Sequence, residues 1–174
     1  LIINFNKGTE QILKEASDNS YAMSELGERY LYANMDEEAF KLFEEADKGG
    51  CIKAKHNKLL LLGKKYYYGN ETNKDYKKAF DLFSQIQKTN VHAKYYLAKM
   101  YLFGYGVGEN EKLSENLIDE AVKMKGTEAT EFIFKYNTNM VKLMQEFNLD
   151  KNIAKEILKR LDSLNSENIK NIKI

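Results

Sequence analysis

Apolar residues recur along this chain at helical spacing, and the spacing itself repeats. Leu26-Gly27-x-x-Tyr30, Leu62-Gly63-x-x-Tyr66-x-x-Gly69 and Leu97-Ala98-x-x-Tyr101-x-x-Gly104-x-Gly106-Val107 align, with the Leu anchors 36 and 35 residues apart. A second pattern follows each: Ala39-Phe40-x-Leu42-Phe43-x-x-Ala46, Ala79-Phe80-x-Leu82-Phe83-x-x-Ile86 and a weaker Ser114-x-x-Leu117-Ile118-x-x-Ala121. An earlier Thr9-x-x-Ile12-Leu13-x-x-Ala16 and a degenerate Ala129-x-x-x-Ile133 extend the series. Apolar positions at i, i+3, i+4 and i+7 share one helical face. The unit is therefore a helical hairpin of about 35 residues, which cannot bury both its faces alone and must stack on its neighbours. Small residues at Gly27, Gly63, Ala98, Ala39, Ala79 and Ala46 let paired helices approach closely, and Tyr and Phe fill the space between layers.

Punctuation marks the boundaries. Asp36 is placed to cap the second helix of the first hairpin, and Gly49-Gly50 ends that helix. Gly69 with Asn70 and Asn73 breaks the second hairpin, and Gly104 to Gly108 breaks the third. From Asp150 the chain is amphipathic, with Ile153, Ile157, Leu158, Leu161 and Leu164 on one stripe, but it does not match the repeat, as expected of a cap. Residues 167–174 are expected to fray. The predicted fold is all-α: a right-handed α-solenoid of stacked antiparallel hairpins over residues 1–137, with a non-repeat helical cap and tail over 138–174. Its copies are a half repeat near 9–18, then 19–50, 51–90, 91–126 and the degenerate 127–137.

Composition narrows the class further. The 174 residues include no proline, no tryptophan and only ten glycines. That excludes collagen-like and Pro-rich chains and disfavours a Gly/Pro-turn sandwich or barrel; a chain that is mostly helix interior has little use for proline. A hydrophobic fraction of 43% suffices for a core, so the chain is not disordered by composition. The length fits one domain. The net charge of +1 hides a gradient. Residues 1–50 hold five basic and eleven acidic side chains, and residues 51–100 hold eleven and three. An acidic band thus adjoins a basic one. Arg29 and Arg160 are the sole arginines, and Lys, Asn and Ile in such numbers point to an AT-rich coding sequence. Cys51 is the sole cysteine, so no intrachain disulfide forms, and a lone thiol favours a reducing, cytoplasmic compartment. The chain begins at Leu1 rather than Met, which points to a trimmed or processed end and leaves periplasmic or secreted locations open. No apolar run reaches membrane-spanning length.

The aligned residues resemble the Sel-one-like repeat, a relative of the tetratricopeptide repeat. Ala93, Leu97, Tyr101, Gly104, Gly106 and Val107 follow that pattern in the third copy, and Leu62, Gly63, Tyr66, Gly69, Lys78, Ala79, Leu82 and Phe83 in the second. The first copy lacks the Gly-x-Gly-Val loop, and its Leu26-to-Ala39 distance of 13 residues is shorter than the 17 from Leu62 to Ala79. The resemblance spans about residues 9–126. It implies a superhelical adaptor between proteins whose first helices line a concave surface, on positions set by offset from the Leu anchor. Those positions are Tyr21, Ser24, Glu28, Leu31 and Tyr32; Asn57, Leu60, Lys64, Tyr67 and Tyr68; His92, Tyr95, Lys99, Leu102 and Phe103; and in a fourth set Glu128, Glu131, Lys135, Thr138 and Asn139. Tyr gives contact area at low entropic cost, and Lys64 and Lys99 recur at one offset, so an acidic partner segment is expected there, oriented by Glu28.

Catalytic chemistry is not indicated. Cys51 and His56 lie off a common helical face, and no zinc-peptidase, paired-cysteine or nucleophile-elbow motif occurs. His92 is expected on the concave face and Cys51 at a buried hairpin start. Gly104 to Gly108 follows a helix and lacks a phosphate-binding lysine, so it is an inter-helix loop. The expected function is non-catalytic binding of a protein or peptide, without a cofactor or metal, as a monomer or within a hetero-complex. One alternative is an immunity protein that neutralises a toxin. Another is single-stranded nucleic-acid binding, with Lys53, Lys55, Lys58, Lys64 and Lys65 interleaved with stacking Tyr66 to Tyr68.

Overall fold

The structure, a computed structural model, describes residues 19–69, 74–124 and 145–163. These form seven α-helices: α1 (Ser20–Tyr32), α2 (Asp36–Lys48), α3 (Ile52–Tyr68), α4 (Tyr76–Ile86), α5 (Val91–Phe103), α6 (Glu111–Lys123) and α7 (Lys151–Ser163). The half copy near Thr9, the copy around Ala129 with its set Glu128 to Asn139, Asn70, Asn73, Leu164 and the C-terminal tail lie outside the described residues. Helices α1 through α6 pack in chain order, each of α1 to α5 on the next, and α1 also packs on α3. The three aligned copies are therefore three hairpins, α1/α2, α3/α4 and α5/α6, stacked in chain order as an α-solenoid requires. No helix among the described residues is long and apolar enough to cross a membrane.

The hairpins close by one rule of size. A Cβ added at Gly27 would lie 2.6 Å from Cε1 of Phe43, and one at Gly63 would lie 2.5 Å from Cε1 of Phe83. Each phenyl ring thus sits directly on the backbone of the partner helix. In the third hairpin the residues at the corresponding sequence positions are Ala98 and Ile118. Ser114 replaces the usual Ala there, and its buried hydroxyl donates to the Ala98 carbonyl at 2.8 Å. Between hairpins, Phe83 stacks on Tyr96 with centroids 4.7 Å apart.

The turns use Asn, Asp and Gly. Asn19, Asp75, Asn90 and Asn110 each accept first-turn amides at the starts of α1, α4, α5 and α6, and Asp150 does the same for α7. Gly104 ends α5 in the left-handed region, where a Cβ is penalised. A shared hydrogen bond closes each hairpin. The amides of Met35, Asp75 and Asn110 donate to the carbonyls of Tyr30, Tyr66 and Tyr101, each at 2.9 Å. These are the three repeat tyrosines.

Two boundary expectations change. Asp36 does not cap α2: it is the first helical residue, after Met35, which makes no side-chain cap. Its buried carboxylate accepts from Lys64 at 3.1 Å. In α7 the buried face is Ala154, Leu158 and Asp162, whereas Ile153 of the expected stripe is 47% exposed. Leu158 of that stripe is buried and Ile157 half-buried, so the departure lies at Ile153, with Asp162 on the buried side.

Candidate functional site

A groove of about 770 Å³ is lined by residues of the first helices α1, α3 and α5. Glu28, Leu31 and Tyr32 line it from α1, Asn57, Leu60 and Lys64 from α3, and His92 from α5. The groove also takes in Asp36, Ile52, Lys53, His56 and Tyr96, which the offset did not nominate. Of the nominated residues, Tyr21 lies outside the groove and is highly exposed, and Ser24 is buried. Tyr67, Tyr68, Tyr95, Lys99, Leu102 and Phe103 are buried as well. The nominated set is thus divided, with an open groove at one end of the face and a covered region at the other.

The groove is already wired electrostatically. Glu28 accepts from Lys53 at 2.8 Å and from the Asn57 amide at 3.1 Å. Lys64 is paired with Asp36. The Thr89 hydroxyl and His56 Nδ1 are 3.1 Å apart. His92 reaches solvent at the mouth, but the surrounding walls displace much of its hydration. That desolvation, together with the Lys64 charge, lowers its imidazole pKa and favours the neutral ring. Tyr32 and Ile52 present exposed apolar surface at the rim, 68% and 69% accessible. The groove therefore offers satisfied polar groups of both signs on its floor and apolar area at its edge.

At the covered end, Lys99 is only 2% exposed. Its ammonium lies 4.9, 5.6, 4.6 and 4.3 Å from the ring centroids of Tyr67, Tyr68, Tyr95 and Tyr96, within cation–π range. Asp162 of α7 closes this cage, accepting from Lys99 and from the Tyr67 hydroxyl, both at 2.6 Å. Tyr96 donates onward to the Tyr68 hydroxyl at 3.3 Å. Burial pulls the Lys99 pKa down to about 8 against the opposing pull of Asp162. Burial and the Asp162 charge hold the Tyr67 hydroxyl well above its ordinary value. Both lysines nominated for an acidic partner are held by the chain's own carboxylates.

The covered end was legible in one respect. Helix α5, Val-His-Ala-Lys-Tyr-Tyr-Leu-Ala-Lys-Met-Tyr-Leu-Phe, is apolar nearly all round, the mark of a helix enclosed on every side, and ten of its residues are buried. Asp162 carried no such signal. Nor is the nucleic-acid platform formed: Tyr67 and Tyr68 are buried, and Lys53, Lys58 and Lys64 are paired with Glu28, Asp47 and Asp36. Cys51 is buried at the start of α3. Among the described residues no group of three His, Cys, Asp or Glu is placed to hold a metal ion.

No family model matches the chain, and no curated protein matches it. Among solved structures, the chain is similar to a Sel1 repeat protein from Oxalobacter formigenes, with 24% identity over 75% of this chain and 99% of that one, and a TM-score of 0.46.

Proposed function

We propose that the chain is a Sel-one-like repeat stack that acts as a non-catalytic protein-interaction module, holding a segment of a protein partner in the groove between α1, α3 and α5. The groove itself carries this reading. It has the volume of a ligand pocket, a polar floor that fixes orientation through Glu28, Asn57 and Lys64, and the exposed Tyr32 and Ile52 at its rim. Because Lys53 and Lys64 are matched by Glu28 and Asp36, the partner segment is expected to bring groups of both signs rather than a run of acid. The test is affinity purification from the cells that encode the chain, followed by quantitative mass spectrometry. Asn57→Trp, which fills the groove, and Glu28→Lys should lose a partner that the wild type and Glu44→Lys both retain. Identical recoveries with all four proteins would refute the assignment.

A further inference from the structure

The other end of the face holds a seat for a helix. Ala154, Leu158 and Asp162 follow one another at four-residue intervals and are all buried, so they form one side of α7. Leu158 packs with Leu102, Phe103 and Tyr105. Asp162 enters the cage of Lys99 and the tyrosines. Three lysines at the same interval flank this side. Lys151 pairs with Glu111 and Lys155 with Glu109, and Lys159 lies 5.9 and 5.8 Å from the rings of Phe103 and Tyr105.

The seat is thus specific in chemistry: small, then aliphatic, then carboxylate, with cations along the rim. It is not correspondingly strong. Exposed ion pairs contribute little, and the attraction between Lys99 and Asp162 is largely offset by what both lost on leaving water. Such a pair selects the residue that docks more than it holds it.

We propose that this seat is a docking site for an amphipathic helix of a protein partner bearing a small residue, a leucine-like residue and a carboxylate at successive four-residue intervals, and that α7 is its built-in occupant, displaced when the partner helix binds. Tyr96 lines the open groove and also belongs to the Lys99 cage, so the two ends of the face touch at one side chain.

Amide hydrogen exchange on the full chain, with a labelled synthetic peptide of residues 150–163 as probe, tests the proposal. In the wild type, α7 amides should exchange at least tenfold faster than those of α2 and α4, by local opening. Asp162→Asn should add a further tenfold in α7 alone. The Asp162→Asn protein should bind the peptide saturably, and a peptide carrying the same substitution at least tenfold more weakly. Lys99→Met/Asp162→Leu should keep α7 protected and leave the peptide unbound. If Asp162→Asn loosens the whole stack, Leu158→Ala replaces it as the host, opening α7 while leaving Lys99 and the tyrosines intact. Exchange of α7 only together with α2 and α4 in the wild type would overturn the proposal. So would equal binding of the two peptides, or no binding to the opened host.

Discussion

Substituting Gly63 by alanine tests how the hairpins are held. The new Cβ would lie 2.5, 2.8 and 2.9 Å from Cε1, Cδ1 and Cζ of Phe83, whereas carbon atoms rest at about 3.5–4.0 Å. The ring must therefore retreat by about 1 Å. It has no room, being fully buried and stacked on Tyr96 at 4.7 Å and 10°. Overpacking costs about 1–3 kcal/mol, and a fixed ring meeting three close atoms belongs near the upper limit. Alanine is favoured over glycine in a helix by about 1 kcal/mol. The net loss is then about 2 kcal/mol, or a Tm lower by about 4–8 °C for a chain of this size. Thermal and urea unfolding followed by circular dichroism measure it. Phe83→Leu alone removes ring contacts and destabilises through the void it leaves. Placed beside Gly63→Ala it relieves the clash, so the double variant should be more stable than the sum of the single changes by at least about 1 kcal/mol. A Gly63→Ala protein as stable as the wild type, or strict additivity, would refute the reasoning.

Other consequences follow from the same geometry. Lys99→Met alone strands the Asp162 carboxylate in a buried site and should cost about 3–5 kcal/mol; urea midpoints should show the Lys99→Met/Asp162→Leu chain close to wild type. Lys99 has a folded pKa near 8, below the ordinary 10.5. The unfolded chain therefore binds more protons between those values, and stability should rise from pH 8 toward 10. The buried hydroxyls of Tyr67, Tyr68 and Tyr96 hold their protons past their ordinary pKa of 10, so the gain should be lost above pH 10; denaturation midpoints that fall steadily from pH 7 would contradict this, and Lys99→Met should abolish the rise. Asp75→Ala removes the cap on the Lys78 amide and should cost about 1 kcal/mol, read as a lowered urea midpoint. Ser114→Ala breaks the 2.8 Å bond to Ala98 and should cost about 0.5–1.5 kcal/mol, read the same way.

The stack was legible because its determinants are local and repeated. Leu26, Leu62 and Leu97 recur at nearly constant distance, Gly27 and Gly63 answer Phe43 and Phe83, and Asn19, Asn90 and Asn110 mark helix starts through side-chain bonds to nearby amides. The same register picked out Glu28, Asn57, Lys64 and His92, which line the groove, together with others such as Tyr67, Tyr68 and Lys99 that are buried. What escaped depends on charges far apart in sequence. Lys99 and Asp162 are 63 residues apart, and no local period shows that a carboxylate at one will be buried against the other. Hydrophobic spacing therefore placed both Ile153 and Leu158 on the inner side of α7; Leu158 is buried there, but Ile153 is exposed and Asp162 is buried against Lys99. Asp36 has the sequence position of a cap, yet Lys64, 28 residues away, claimed its carboxylate. The all-round apolarity of α5 was the one local sign that something covers it.

The bond from the entering amide to the repeat tyrosine bears on how such a chain is edited. Met35 lies five residues after Tyr30, while Asp75 and Asn110 lie nine after Tyr66 and Tyr101. The same closure thus spans two loop lengths, and the entropic difference between them is only about 0.5 kcal/mol. Loop length is decoupled from stacking register. The hairpin tip between Tyr30 and Met35 is accordingly a graft point, where an epitope or reporter loop can be inserted while the helices on either side keep their alignment.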